Sequence, residues 1–380
     1  MQIKKVGAKV VRDSRGKETI QVFVKTGKGK FTTSSPAGKS TGKFEVRSYG
    51  GNLKGDIWYI NNLKTIGKLD IQKFEDLVKV EKLVGKKLGG NSLFALEASL
   101  LKAIARENGK ELYEFLGGKK VRLRSVGNAI GGGLHSLGVR GKKPEFQEFL
   151  FIAKSKSFSE SVKINKKAYR IAGKLLKARK RNDEGAWETG LSNEEVLDVM
   201  DEVRKIMKKK YRGVVDIGLD VASSSFYKKK LNSEGQVDYL NKLIKKYNLF
   251  YVEDGLDEND FLGFHELLKK AGKQCLIVGD DLTTTNPERL NKAIEERSIN
   301  AIIVKPNQIG SLLKVKEVID ICKSKGIKTI ISHRSGETMD DTIADLGVGW
   351  GVDFIKTGIY GKVREVKLRR LATIEKGSNR

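Results

Sequence analysis

The sequence predicts an α/β protein. A TIM-type β/α barrel over residues 121–380 is preceded by an α+β capping domain over residues 1–120. Three observations carry this prediction. A short apolar run ending on a charged or ionisable residue recurs six times between Asp220 and Lys356. The six residues are spaced by 33, 27, 25, 28 and 23 positions, the length of one strand plus one helix. Strands come first and helices afterwards in the N-terminal third, which suits a separate α+β unit.

The elements follow in order. Val10–Val24 holds two β-rich segments around the polar turn Asp13-Ser14-Arg15-Gly16, and predicts a hairpin. A loop follows over Ser34–Gly42, then helical periodicity over residues 68–116 and a boundary near Gly117-Gly118-Lys119-Lys120. Lys163–Arg181 carries nine basic residues and no acidic one; Ile164, Ala168, Ile171 and Leu175 recur at helical spacing, so a solvated basic face is expected. The six runs are Val214–Leu219 before Asp220, Leu249–Val252 before Glu253, Leu276–Gly279 before Asp280, Ala301–Val304 before Lys305, Thr329–Ser332 before His333, and Phe354–Ile355 before Lys356. Such runs suit parallel strands buried on both faces. Helices are expected over Phe261–Lys270, Pro287–Glu296 and Leu312–Lys323, the second with Asn286 as N-cap and Pro287 at the first position.

Composition narrows the class. With 32% charged and 39% hydrophobic residues, the chain reads as globular. The first residues lack an apolar signal region, and no apolar stretch reaches about 18 residues, so a cytoplasmic protein without a membrane span is expected. Cys275 and Cys322 read as buried free thiols. A net charge of +27 points to an anionic partner: a phosphorylated small molecule first, with nucleic acid as a secondary possibility.

In a barrel of this kind, strand C-terminal ends share one mouth. Asp220, Glu253 and Asp280 would meet there. Three converging carboxylates call for a hard cation such as Mg²⁺. Lys305 follows on the next strand, and a desolvated lysine beside a cation has a lowered pKa and can act as a base. His333, Arg334, Ser335 and Lys356 add phosphate- and carboxylate-binding groups. Metal, base and anion clamp together describe removal of a proton next to a carboxylate, with the metal holding the enolate.

These residues resemble the enolase family, from about Val10 to Lys356. The motifs are Ser332-His333-Arg334-Ser335-Gly336-Glu337-Thr338, Gly279-Asp280-Asp281-Leu282-Thr283 with Thr285-Asn286-Pro287, and Asn307-Gln308-Ile309-Gly310. Asp13-Ser14-Arg15-Gly16, Ser40-Thr41-Gly42, Leu88-Gly89 with Asn91, Gln147-Glu148-Phe149 and Asp183-Glu184-Gly185 complete the set. A lysine or histidine base with one or two Mg²⁺ ions is the known pattern of that superfamily. The resemblance implies an enolase-type modified barrel and interconversion of 2-phosphoglycerate and phosphoenolpyruvate, with two Mg²⁺ per site. Asp220, Glu253 and Asp280 would hold the first ion, and Ser40 would ligate the second from a closing loop. Lys305 would take the C2 proton. Glu184 would protonate the departing hydroxyl, supported by Glu148, with His135 entering on another loop. Arg334 and Ser335 would bind phosphate and Lys356 the carboxylate, with His333 beside them. A homodimer or higher homo-oligomer is also implied.

The chain departs from the family pattern at Lys39, Gly131, Gly255, Pro306 and Met339, and in the segment Ile359–Glu365, where an arginine-bearing stretch is rewritten. Two other functions fit the sequence. One is a related lyase or isomerase on another carboxylate. The other is an enolase-like binding protein, for RNA among other ligands, whose affinity would fall with added salt.

Overall fold

The structure, a computed structural model, describes residues 1–39, 42–136, 141–226 and 232–377. The N-terminal hairpin forms from β1 (Lys5–Arg12) and β2 (Glu18–Thr26), paired antiparallel from Lys5↔Lys25 to Arg12↔Glu18. Its turn closes because the Asp13 carboxylate accepts the backbone N–H groups of Arg15 and Lys17 at 2.8 and 2.9 Å, while Gly16 takes a φ of 74°. A third strand, β3 (Gly29–Ser34), adds to β2. The long helix Gly90–Glu107 covers this sheet, and the Ser99 hydroxyl donates to the Val22 carbonyl at 3.1 Å.

Eight strands close the barrel: β4 (Arg124–Gly131), β5 (Glu148–Lys154), β6 (Val214–Asp220), β7 (Tyr251–Glu253), β8 (Leu276–Gly279), β9 (Ala301–Val304), β10 (Lys328–Ser332) and β11 (Phe354–Lys356). The six apolar runs are β6 to β11. Two further strands, β4 and β5, precede the repeat. β5 runs antiparallel to both neighbours, and every other pair is parallel. That reversal puts the first residue of β5, rather than its last, at the mouth: Glu148 lies opposite Asp220.

Alternate strand residues face opposite ways. Val126, Leu150, Ile152, Tyr251, Val278, Ala301, Ile303, Ile330 and Phe354 form one apolar cluster, with members from all strands but β6. We read this as the barrel interior. Their neighbours Ile277, Ile302, Val304, Ile331 and Ile355 belong to a larger cluster shared with the helices. The expected helices appear as Phe261–Ala271, Pro287–Glu295 and Leu312–Ser324, and Asn286 caps the second through Glu288 N and Arg289 N. The basic segment is helical only as far as Leu175, in a helix over Phe158–Leu175 with Ala168, Tyr169 and Ala172 buried and Lys163, Arg170 and Lys174 exposed; Lys177, Arg179, Lys180 and Arg181 lie beyond it. Leu175, expected on its apolar side, is the last residue of the helix and is 42% exposed. Among the described residues no helix is long and apolar enough to cross a membrane. Cys275 and Cys322 are buried free thiols.

The N-terminal sheet grips the barrel mouth. Ser14 N donates to the Glu337 carbonyl at 2.7 Å, and Ala37 pairs with Gly336. A Cβ at Gly336 would lie 2.0 Å from Asp13 Oδ2, so only glycine allows this approach. Asn307 donates to the Pro36 carbonyl at 3.1 Å and to Asn91 Oδ1 at 2.8 Å.

Candidate active site

Strand ends and the loops that carry Lys39, His135 and Glu184 surround one polar cavity. Its lining includes Lys39, Glu45, His135, Glu148, Glu184, Asp220, Asp280, Lys305, His333, Arg334, Ser335 and Lys356. Glu253 stands beside it, opposite Asp220 in register, and is fully buried. Ser40 lies outside the described residues.

Lys356 is the centre of the acidic group. Its Nζ lies 2.8 Å from Glu253, 3.0 Å from Asp220 and 3.1 Å from Glu148. Burial opposes the ammonium charge, yet Asp220, Glu148 and Glu253 together raise its pKa well above the ordinary lysine value. Glu253 is itself pushed well up, by burial and then by Asp220. Tyr251 donates to Glu253 Oε2 at 2.6 Å. The role expected of Lys356, holding a substrate carboxylate, differs from its contacts here, where it neutralises three buried acids.

Lys305 follows β9. The Thr285 hydroxyl accepts from its backbone N–H at 2.9 Å, and Pro306 starts the short helix Pro306–Ile309 directly after it. Its ammonium is paired with Asp280. The expected lowering of the Lys305 pKa is not found: burial lowers it most, but Asp280, Glu253 and Asp281 together outweigh burial and the net shift is upward. Asp280 moves down in return, burial being outweighed by Lys305. Asp254 fixes the turn that carries this acid, accepting Asp280 N–H at 2.9 Å and Asp281 N–H at 2.7 Å. Asp254 has a φ of 44°, and Ala222, Thr284 and Thr285 near the mouth also have positive φ. Non-glycine residues adopt this region at an energetic cost and concentrate at functional sites.

Across the cavity, His135 Nδ1 lies 3.4 Å from Glu148 and 3.8 Å from Glu184. Burial disfavours its charge, but Glu184 and then Glu148 raise its pKa to about 9. Burial would raise Glu184, but His135 and then Arg364 hold it down to about 2. The resting proton of this group therefore sits on the imidazole. Asn182 holds the Glu184 turn by accepting Glu184 N–H and Ala186 N–H, each at 3.0 Å. A Cβ at Gly131 would lie 2.3 Å from the Asn182 amide, which gives glycine there a physical reason.

The raised pKa of His135 links to stability. The folded state binds its proton up to about pH 9, and the unfolded chain only to its ordinary 6.5. Its stabilisation is complete below pH 6.5 and lost as the pH rises through 9. Denaturant unfolding should show a loss of about 3 kcal/mol over that window, and a smaller loss in His135→Gln. Equal pH slopes for the two proteins would refute this linkage.

On the third side, Glu45 grips Arg334 with two bonds of 2.9 Å, and Arg15 donates to the Ser335 hydroxyl at 3.3 Å. Lys39 donates to the Leu134 carbonyl at 3.1 Å and lies 3.9 Å from Asp183.

The chain that builds this barrel and its mouth matches a known protein domain. Residues 124–378 match the enolase C-terminal TIM barrel domain. The chain is 35% identical over 398 residues to the enolase of Thermoplasma acidophilum, covering 99% of this chain and 98% of that one. The chain belongs to the enolase family. The enolase of Picrophilus torridus is 36% identical over 397 residues, covering 98% of each chain. That of Methanosphaera stadtmanae is 37% identical over 404 residues, covering 98% of this chain and 96% of that one.

Among departures from the enolase pattern, Met339 is 55% exposed and absent from the cavity lining. Gly255 lies against Leu240, where an added Cβ would approach to 2.8 Å. Sequence reasoning assigned no role to Glu45, Asp254, Asp281 or Arg364. Asp254 and Asp281 had a visible signal, since each directly follows an acid already singled out.

Enolases use divalent metal ions, and the donor set here fits one. Buried carboxylates crowd the mouth, and the residues lining the cavity include more acids than lysines and arginines. Burial, and then Asp280, lifts Asp281 to about 7, as expected of buried acids crowded together. Two sets bring donor atoms within 4.8 Å of one another among the described residues: Asp254, Asp280 and Asp281, and His135, Glu148 and Glu184. Of the expected trio only Asp280 belongs to such a set; Asp220 and Glu253 are both bonded to Lys356.

Proposed function

We propose that this chain interconverts 2-phosphoglycerate and phosphoenolpyruvate plus water. The observation that carries this reading is the placement of Lys305 and the Glu184–Glu148–His135 group in one cavity. β-Elimination needs both a base at one carbon and an acid at the next. Asp220, Glu253 and Asp280 would hold a Mg²⁺ ion, and Ser40 would help hold a second. Bound Mg²⁺ would neutralise these carboxylates and the charge that builds on the substrate carboxylate.

The chain's own groups account for the rest. Lys305 accepts the C2 proton in its deprotonated form; in this structure its pairing with Asp280 favours the protonated form. Glu184 passes a proton to the departing C3 hydroxyl. His135 supplies it, since the resting proton of that group lies there. Arg334 and Ser335 bind the phosphate, which must displace Glu45 from the guanidinium. Lys356, which holds Asp220, Glu253 and Glu148 in this structure, would bind the substrate carboxylate.

We also place the protein in the cytoplasm as a homo-oligomer, in keeping with its sequence. The RNA-binding alternative is disfavoured because a protein released from catalysis has no need of a base and an acid in one cavity. Purified protein with 2-phosphoglycerate and Mg²⁺ should generate the absorbance of phosphoenolpyruvate, and chelator should stop it. Folded protein without turnover would sink the proposal.

A further inference from the structure

We propose that Arg364 is a positioning residue that fixes both the course of the His333–Arg334–Ser335 turn and the tautomer of His333. It lies in the segment where the chain departs from the family's arginine-bearing stretch. Gly358 and Gly361, with φ of 77° and 105°, carry the chain from Lys356 into the helix Lys362–Gly377. Arg364 stands in the first turn of that helix and is 1% exposed.

Its guanidinium spans three acceptors. Nη1 donates to the Arg334 carbonyl and Nη2 to the Ser335 carbonyl, each at 2.6 Å. Nη1 also lies 2.5 Å from His333 Nδ1. A guanidinium has donors only, so Nδ1 must carry a lone pair. A neutral imidazole with a free Nδ1 lone pair has its proton on Nε2. That nitrogen lies 4.0 Å from Glu184 Oε2. Arg364 therefore makes His333 a neutral donor facing the acid side of the cavity. The same two carbonyl bonds set the backbone of Arg334 and Ser335. Burial and then Arg364 also hold the His333 pKa well below its ordinary value. Lysine could keep the charge but not the planar fork that spans these acceptors.

The kinetic part of this inference rests on the proposed reaction; the tautomer does not. The chain has three histidines, so long-range ¹⁵N–¹H spectra of the imidazoles are readily assigned with His333→Gln. His333 in the wild-type protein should show the neutral Nε2–H pattern. Arg364→Met should lose it, and should raise KM for 2-phosphoglycerate about tenfold or more, with Arg364→Lys recovering only part. An Nδ1–H or imidazolium pattern in the wild-type protein would overturn the proposal even if the variants fail to fold. So would a folded Arg364→Met with the wild-type pattern and KM. Absence of turnover in the wild-type protein with the Nε2–H pattern present would remove the proposed reaction and leave the positioning role standing.

Discussion

Lys305→Ala should lower turnover of 2-phosphoglycerate by at least about 10³-fold, or about 4 kcal/mol of transition-state stabilisation, with the fold intact. Lys305 follows β9, and its position is fixed twice, by the Thr285 hydroxyl at its backbone and by Pro306 at the next residue. Alanine keeps both constraints and removes only the amine. The lost ion pair leaves Asp280 less compensated, so a modest drop in stability accompanies the loss of activity. Two half-reactions separate base from acid. In deuterated water the wild-type protein should exchange the C2 hydrogen of 2-phosphoglycerate. Lys305→Ala should lose exchange and elimination together, while Glu184→Gln should lose elimination and retain exchange. Normal C2 exchange in Lys305→Ala would remove Lys305 as the base.

The barrel was legible where its strands repeat. β6 to β11 are buried on both faces and read as apolar runs, each ending near a charged or ionisable residue of the mouth. β4 and β5 were not, because the reversal of β5 is a property of connection and leaves no periodic mark. Glu148 was found by motif, and only the reversed strand explains its place at the mouth. Glu45 meets Arg334 across 289 positions, and no local pattern signals such a contact. Arg364 was hidden by abundance: among 74 lysines and arginines, one more at a helix start looks like surface charge. The sign of the Lys305 shift could not be read either. It is the balance of burial and Arg334 against Asp280, Glu253 and Asp281, and the sequence gives none of these magnitudes. The expectation of a lowered pKa assumed that a metal already occupied Asp280.

The same competition between lysine and cation makes Lys356→Met the most informative stability variant. Its ammonium bonds both oxygens of Glu253 at 2.8 Å and Asp220 at 3.0 Å, all of them buried. Methionine fills much of the volume and leaves the acids without a counter-charge. Breaking one side of a buried ion pair costs about 3–5 kcal/mol, so unfolding in chelator at neutral pH should show a loss of that size. Because the acids can escape their repulsion by taking up protons, the deficit should shrink as the pH falls. Mg²⁺ should also reduce it, and should stabilise the variant more than the wild-type protein, since no lysine competes for Asp220 and Glu253. At a concentration of 100 times Kd, ligand binding adds about 2.7 kcal/mol to the variant, and the deficit closes by the amount that this exceeds the gain of the wild-type protein. A deficit that Mg²⁺ leaves unchanged would mean that Asp220 and Glu253 are acids held by Lys356 alone, and that the metal is bound elsewhere in the mouth.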